Sequence, residues 1–208
     1  VYTHGGHSYN AHSLEEVRSI GEGERHAVVG FVAKLRASGS AALAAAAECL
    51  EVGIGSTPTC SNPPSHLQGV TEMHPGNYLY YDMTQVRLGS CQVEDAAVRV
   101  CTRVVGQYQK QNTLLVDLGW TGISAQGAES GYGAIDGHPE LRIKVLKQEA
   151  GEVTSADGTP LDFSRYPVGL ILRVIPHHSC ASTHQHVTTH VLDADGQPME
   201  CWEQVRGW

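Results

Sequence analysis

Hydrophobic periodicity changes character partway along this chain, and no single-class fold accommodates both patterns. Up to about residue 83, compact apolar runs that end in glycine alternate with a helical pattern. Beyond it, segments rich in Val, Leu and Ile at 96–106, 113–118, 141–149, 168–175 and 187–193 are separated by turn signals such as QKQN, ADGTP and DADGQP. The first pattern predicts βα units of a parallel sheet or barrel over 1–83. The second predicts an antiparallel β domain, without a helix, over 84–208.

Local signals sharpen the first part. VYTHGGHSY, 1–9, reads as a short strand ending in glycines, histidines and a tyrosine. Ser13 with Glu16 is a capping box, and the apolar set Leu14, Val17, Val28, Phe31, Val32 and Leu35 keeps helical spacing to Ser38-Gly39. One helix is predicted from about 14 to 37, weakened near Gly21 and Gly23. The alanine-rich stretch 41–47 adds a turn of helix, CLEVGIG (49–55) fits a buried parallel strand, and NYLYYDM predicts another near 77–83.

Composition excludes several functions. The formal charge is −8 and the 14 Lys and Arg residues are scattered, so nucleic acid and anionic membrane are poor partners. No run approaches the ~18 apolar residues of a membrane span. The six cysteines form no C-x-x-C pair, which suits free thiols in a reducing compartment, and the expectation is a cytoplasmic protein. The strand-like VYTH already begins at Val1, so the chain is expected to be part of something longer.

Four stretches carry possible chemistry. In VIPHHSCASTHQH, 174–186, His178 and Cys180 are two apart, which on an extended segment puts both side chains on one face. Imidazole nitrogen with thiolate sulfur favours zinc over magnesium or manganese, and two protein ligands leave open positions. His177 lies one step off that face, while His184 and His186 are candidates for a third ligand or for a partner of one. The plain alternative is a set of loop histidines beside a free cysteine. GIGSTPT, 53–59, offers backbone amides and the hydroxyls of Ser56 and Thr57 to an anion, or is only a βα turn. It matches neither G-x-G-x-x-G nor a P-loop. HPGNYLYYD, 74–82, leaves the amides of Gly76 and Asn77 to meet a ligand, or is an ordinary loop. THGGHSY, 3–9, holds His4, His7 and Tyr9 as acid/base or stacking groups, or as a hydrogen-bonded cluster.

In this order, GHSY, VGIGSTPTC, HPGNYLYYD, VDLGW, GHPELR, IPHHSC and the closing RGW resemble the eukaryotic-type D-serine dehydratases, relatives of the metal-dependent D-threonine aldolases with an alanine racemase-like fold. The resemblance runs along essentially the whole chain. It implies part of a pyridoxal phosphate-binding (β/α)8 barrel followed by a β domain, and a homodimer for the complete enzyme. It implies that Ser56 and Thr57 hold the cofactor phosphate with the amides of Gly76 and Asn77, that Tyr9 faces the cofactor, and that His178 and Cys180 bind Zn2+. The aldolases carry aspartate where this chain has Cys180, so the cysteine points to zinc and to dehydration of D-serine. An aldolase acting on D-threonine and a truncated metal-binding remnant are the rival readings.

Two departures stand out. His74 occupies a position where relatives often have arginine. The family's Schiff-base lysine lies near its N-terminus, whereas the lysines here are Lys34, Lys110, Lys144 and Lys147, none of which matches that motif. The chain is therefore expected to begin about halfway round the barrel and, taken alone, to be inactive.

Overall fold

Helix signals are strongest between Ser13 and Arg36, and the computed structural model, which describes residues 1–205, forms its longest helix there: α1, Leu14–Arg36. The RGW motif at 206–208 lies outside the described residues. Ser13 Oγ accepts the Glu16 amide at 3.1 Å, while Glu16 Oε2 reaches back to the amide of His12 at 2.8 Å. Gly21 does not weaken the helix: a Cβ there would lie 3.2 Å from Pro64 Cδ, so glycine lets the 64 segment lie against α1.

The chain divides into two compact units, Val1–Asp95 and the part from Ala96 onward. In the first, three two-residue strands run parallel in the order β1 (Tyr2–Thr3), β2 (Gly53–Ile54), β3 (Glu72–Met73). Tyr2 pairs with Gly53 and Gly53 with Glu72. Helix α2 (Ala41–Glu48) precedes β2 and the short α3 (Thr57–Ser61) follows it. Val28 and Val32 of α1 pack with Ala47, Val52 and Ile54, which ties helix to strand through apolar burial.

Two expected strands are not formed as read. The segment 1–9 keeps strand geometry only at Tyr2–Thr3, and Gly6–Asn10 winds into a 3-10 turn. NYLYYDM is not a strand: 77–79 is a 3-10 turn, Tyr81 has φ +50°, and Met83–Arg87 is helix α4. The reason is local. Asn77 Nδ2 donates to Asp82 Oδ2 at 2.5 Å and Asp82 Oδ1 caps the Gln85 amide at 3.0 Å, so polar side chains satisfy backbone and neighbours without a ladder.

The second unit is built on a six-stranded antiparallel sheet. Its strands are β4 (Val100–Tyr108), β5 (Thr113–Val116), β6 (Gly133–Ile135), β7 (Leu141–Leu146), β8 (Gly151–Ser155) and β9 (Ile171–Pro176), in the order β6-β9-β4-β5-β8-β7. The edge strands β6 and β7 approach each other, so the sheet curls almost closed. Alternation explains the core: Val100, Thr102 and Val104 of β4 are buried while Cys101, Arg103 and Val105 face out. Leu114, Val116, Ile143, Val153, Leu172 and Val174 complete the same cluster. After β9 comes a short helix, α5 (Ser179–Thr183), which corrects the expectation of a helix-free second part. β10 (Thr188–Leu192) and β11 (Pro198–Glu203) form a separate hairpin.

Tyr166 is 1% exposed, and its hydroxyl donates to Glu140 Oε1 at 2.6 Å. That bond, helped by His138 and by Arg165 at 2.9 Å, holds the Glu140 carboxyl down at about 2. A depressed folded value stabilises above the unfolded value of about 4.3 and is lost as pH falls towards the folded one. Glu140→Gln is therefore expected to lower the denaturation midpoint at pH 7, with the gap to wild type closing between about pH 5 and pH 2 in acid titrations followed by circular dichroism. A gap independent of pH would show that the carboxylate charge is not what matters.

Candidate functional site

In the first unit the sheet is parallel, so the segments leaving its strands emerge at one edge. Gly5–Asn10 follows β1, Ser56 and Thr57 follow β2, and His74–Asn77 follows β3. Tyr9, Ser56, Thr57, Gly76 and Asn77 thus all lie just past the carboxyl ends of the three strands. Contacts tie these turns together: Ser8 Oγ lies 2.8 Å from Ser56 Oγ, and both residues are buried. Tyr2 Oη donates to the Gly55 carbonyl at 2.7 Å. His74 Nε2 sits 2.8 Å from Glu72 Oε1, with its ring 4.6 Å from that of Tyr2.

The loop after β2 is held by the buried side chain of Glu24 on α1, whose Oε1 accepts the Gly55 amide at 3.1 Å. That amide is committed and is no anion donor, contrary to the simplest reading of GIGSTPT. The Ser56 amide is likewise taken, by Thr59 Oγ1 at 3.0 Å. What remains is the Thr57 hydroxyl, buried at 1% exposure with no hydrogen-bond partner among the described residues. A buried hydroxyl without a partner is costly, and an acceptor such as a phosphate oxygen would relieve it. With Ser56 adjacent and glycine at 55, where φ is +118°, the loop fits a phosphate. Neighbouring Cys60 is held protonated, its thiol pushed up to about 11 by burial and then by the Glu24 carboxylate.

None of the four lysines is in a setting that suits a Schiff base, because Lys34, Lys110, Lys144 and Lys147 are all exposed. Lys147 is paired with Glu152 at 2.9 Å.

In the second unit the proposed metal pair stands where β9 gives way to α5. The segment is not extended throughout, as the two-residue spacing had implied: His178 is the N-cap, with extended backbone, and Cys180 is already in the first turn of the helix. Cys180 is exposed and His178 half-buried. His178 Nδ1 lies 2.7 Å from Gln126 Oε1, which leaves Nε2 for a ligand. Among the described residues no cluster of three or more His, Cys, Asp or Glu side chains is positioned to hold a metal. A two-ligand zinc site with open positions fits this donor set. His186 is not part of it, since its Nε2 is 2.8 Å from the Gly122 carbonyl. Gln126 was missed by sequence reasoning. It lies 52 residues from His178, and no spacing signal connects them.

Known proteins resemble this chain along its whole length. The family described as "Putative serine dehydratase domain" matches residues 97–192. D-serine dehydratase of Dictyostelium discoideum is 32% identical over 220 residues, covering 100% of this chain and 54% of that protein. D-threo-3-hydroxyaspartate dehydratase of Delftia sp. HT23 is 34% identical, and its solved structure superposes with a TM-score of 0.89 over 100% of this chain and 56% of its own. Two further structures of that enzyme are of alanine variants, one at a histidine and the other, in the metal-free form, at a cysteine two positions on, the spacing of His178 and Cys180. D-threonine aldolase of Filomicrobium marinum, 19% identical, shares the fold with a TM-score of 0.75 over 97% of this chain and 52% of its own. The chain spans about half the length of the curated relatives it matches.

Gly55 gives the sharpest local test. Its φ of +118° strains any L side chain, and a Cβ would sit 2.3 Å from Cys60 Sγ. Gly55→Ala is expected to destabilise the first unit by about 1–3 kcal/mol in urea titrations. Gly76→Ala, where a Cβ meets nothing within 4 Å, should cost far less.

Proposed function

The chain belongs to the serine dehydratase family, and from that premise we propose that the complete protein converts D-serine to pyruvate and ammonia, with this chain supplying the phosphate-side and metal-side residues. The observation that carries the reading is similarity over the whole chain to two dehydratases of β-hydroxy D-amino acids, combined with the retained His178-x-Cys180 pair. We read residues 1–83 as the later part of a (β/α)8 barrel whose remainder carries the Schiff-base lysine. The β domain with the zinc pair, expected over 84–208, is read as the compact unit that starts at Ala96, with 84–95 belonging to the first unit.

When bound, pyridoxal phosphate supplies an electron sink for charge developing at Cα, and zinc supplies a Lewis acid for the β-hydroxyl. The chain's own residues bind and orient. Ser56 and Thr57 donate hydroxyls to the phosphate, joined by the amides of Gly76 and Asn77, and Tyr9 flanks the cofactor from the turn after β1. His178 Nε2 and Cys180 Sγ hold the metal, leaving positions for substrate. Cysteine rather than a carboxylate at 180 favours zinc over harder ions, which supports dehydration over aldol cleavage.

The similarity to the Delftia enzyme favours a second substrate, D-threo-3-hydroxyaspartate, which presents the same β-hydroxyl next to an additional carboxylate. Product analysis separates the readings: pyruvate from D-serine, oxaloacetate from the hydroxyaspartate, and glycine plus acetaldehyde from D-threonine if the protein is an aldolase. Cys180→Ala and His178→Ala in the complete protein are each expected to lower kcat/KM for the β-hydroxy substrate by on the order of 100-fold or more, the several kcal/mol a Lewis acid contributes. Chelation should do the same, reversed by added zinc. Full activity after exhaustive chelation would remove zinc from the reading.

A further inference from the structure

We propose that Gln126 is a positioning residue for the metal pair: its side-chain carbonyl holds the His178 ring as the Nδ1–H tautomer and so presents Nε2, bare, to the metal. This inference rests on the reading of His178 and Cys180 as zinc ligands, and nothing in the spacing of the sequence points to it.

The tautomer follows from the side-chain oxygen of Gln126 being the atom that faces the ring. The Gln126 amide N–H donates to Ser124 Oγ at 3.2 Å, so that hydroxyl accepts there. The same hydroxyl donates to Gln126 Oε1 at 3.1 Å. Oε1 carries no hydrogen and accepts from every partner, so the 2.7 Å contact with His178 requires the proton on Nδ1. A neutral imidazole with its proton on Nδ1 has its lone pair on Nε2, the form a metal needs.

The same segment is anchored in two further ways. Ser182 is fully buried, and its Oγ donates to the His178 carbonyl at 2.8 Å while accepting the Ser124 amide at 3.1 Å. One hydroxyl therefore pins the backbone of the ligand and the backbone beside its partner. Gly127 has φ +74°, and a Cβ there would lie 2.2 Å from His177 Nδ1. Only glycine allows the loop that carries Gln126 to lie against the histidine pair. Ring orientation is thus imposed by a loop 52 residues away in sequence, on a ligand whose own helix is only five residues long.

The test uses the full-length protein with 15N-labelled histidine. In the metal-free wild type, His178 is expected to show the spectrum of an Nδ1–H, Nε2-bare ring, and zinc affinity is measured by competition with a chromogenic chelator. Gln126→Leu, which removes the acceptor, is expected to bind zinc about 10–100-fold more weakly and to give a mixture of His178 tautomers. Gln126→Glu restores an acceptor and should recover both wild-type affinity and a single tautomer. A Q126L protein with unchanged tautomer and unchanged affinity overturns the inference while leaving the zinc pair intact. If His178→Ala and Cys180→Ala leave zinc binding as it is in the wild type, the zinc reading falls, and this inference with it.

Discussion

The turns after β1 and β2 depend on one buried carboxylate. Glu24 projects from α1 into the space beneath the loops after β1 and β2, where its Oε1 takes the Gly55 amide. A Cβ on Gly5 would lie 2.7 Å from its carboxyl carbon, so the turn after β1 closes directly over it. Burying a carboxylate is costly unless hydrogen bonds compensate, and that cost is tolerated where it fixes geometry. Here the return is a loop held open by a left-handed glycine, with the Ser56 and Thr57 hydroxyls beyond it.

The consequence is a division of labour among donors. The amides of Gly55 and Ser56, the obvious anion donors in a glycine-rich turn, are spent on holding the loop to Glu24 and Thr59. The Ser56 hydroxyl is within hydrogen-bond distance of Ser8 and Thr59, while the Thr57 hydroxyl is buried with no hydrogen-bond partner among the described residues. The protonated Cys60 thiol beside the loop fills space without adding negative charge.

The second unit solves a similar problem differently. A tightly packed antiparallel sheet ends at β9, and the chain turns at once into α5, placing His178 at the junction. A helix of five residues has little stability of its own. Rigidity comes instead from buried serines that bond across the turn, Ser182 to the His178 carbonyl and Ser124 to Ser182. Cys180 lies on the exposed side of the junction.

Much of this was legible in the residues alone. The periodicity and caps of 13–36 specify α1 almost to the residue, and Val/Leu/Ile alternation marks β4, β5, β7, β9 and β10, because both signals are local. Strands β6, β8 and β11 fall outside the segments that this signal marks, and NYLYYDM reads as strand because its aromatic, β-prone residues outweigh the Asn77–Asp82 bond that turns the chain. Motif order likewise singles out Ser56, Thr57, His178 and Cys180 as candidates, since each is defined by its immediate neighbours. Which backbone donors are committed within the loop after β2, and which nitrogen of His178 meets Gln126, are decided only by tertiary structure. Glu24 reaches Gly55 across 31 residues and Gln126 reaches His178 across 52, and hydrogen bonds between segments that far apart leave no periodic trace in a sequence.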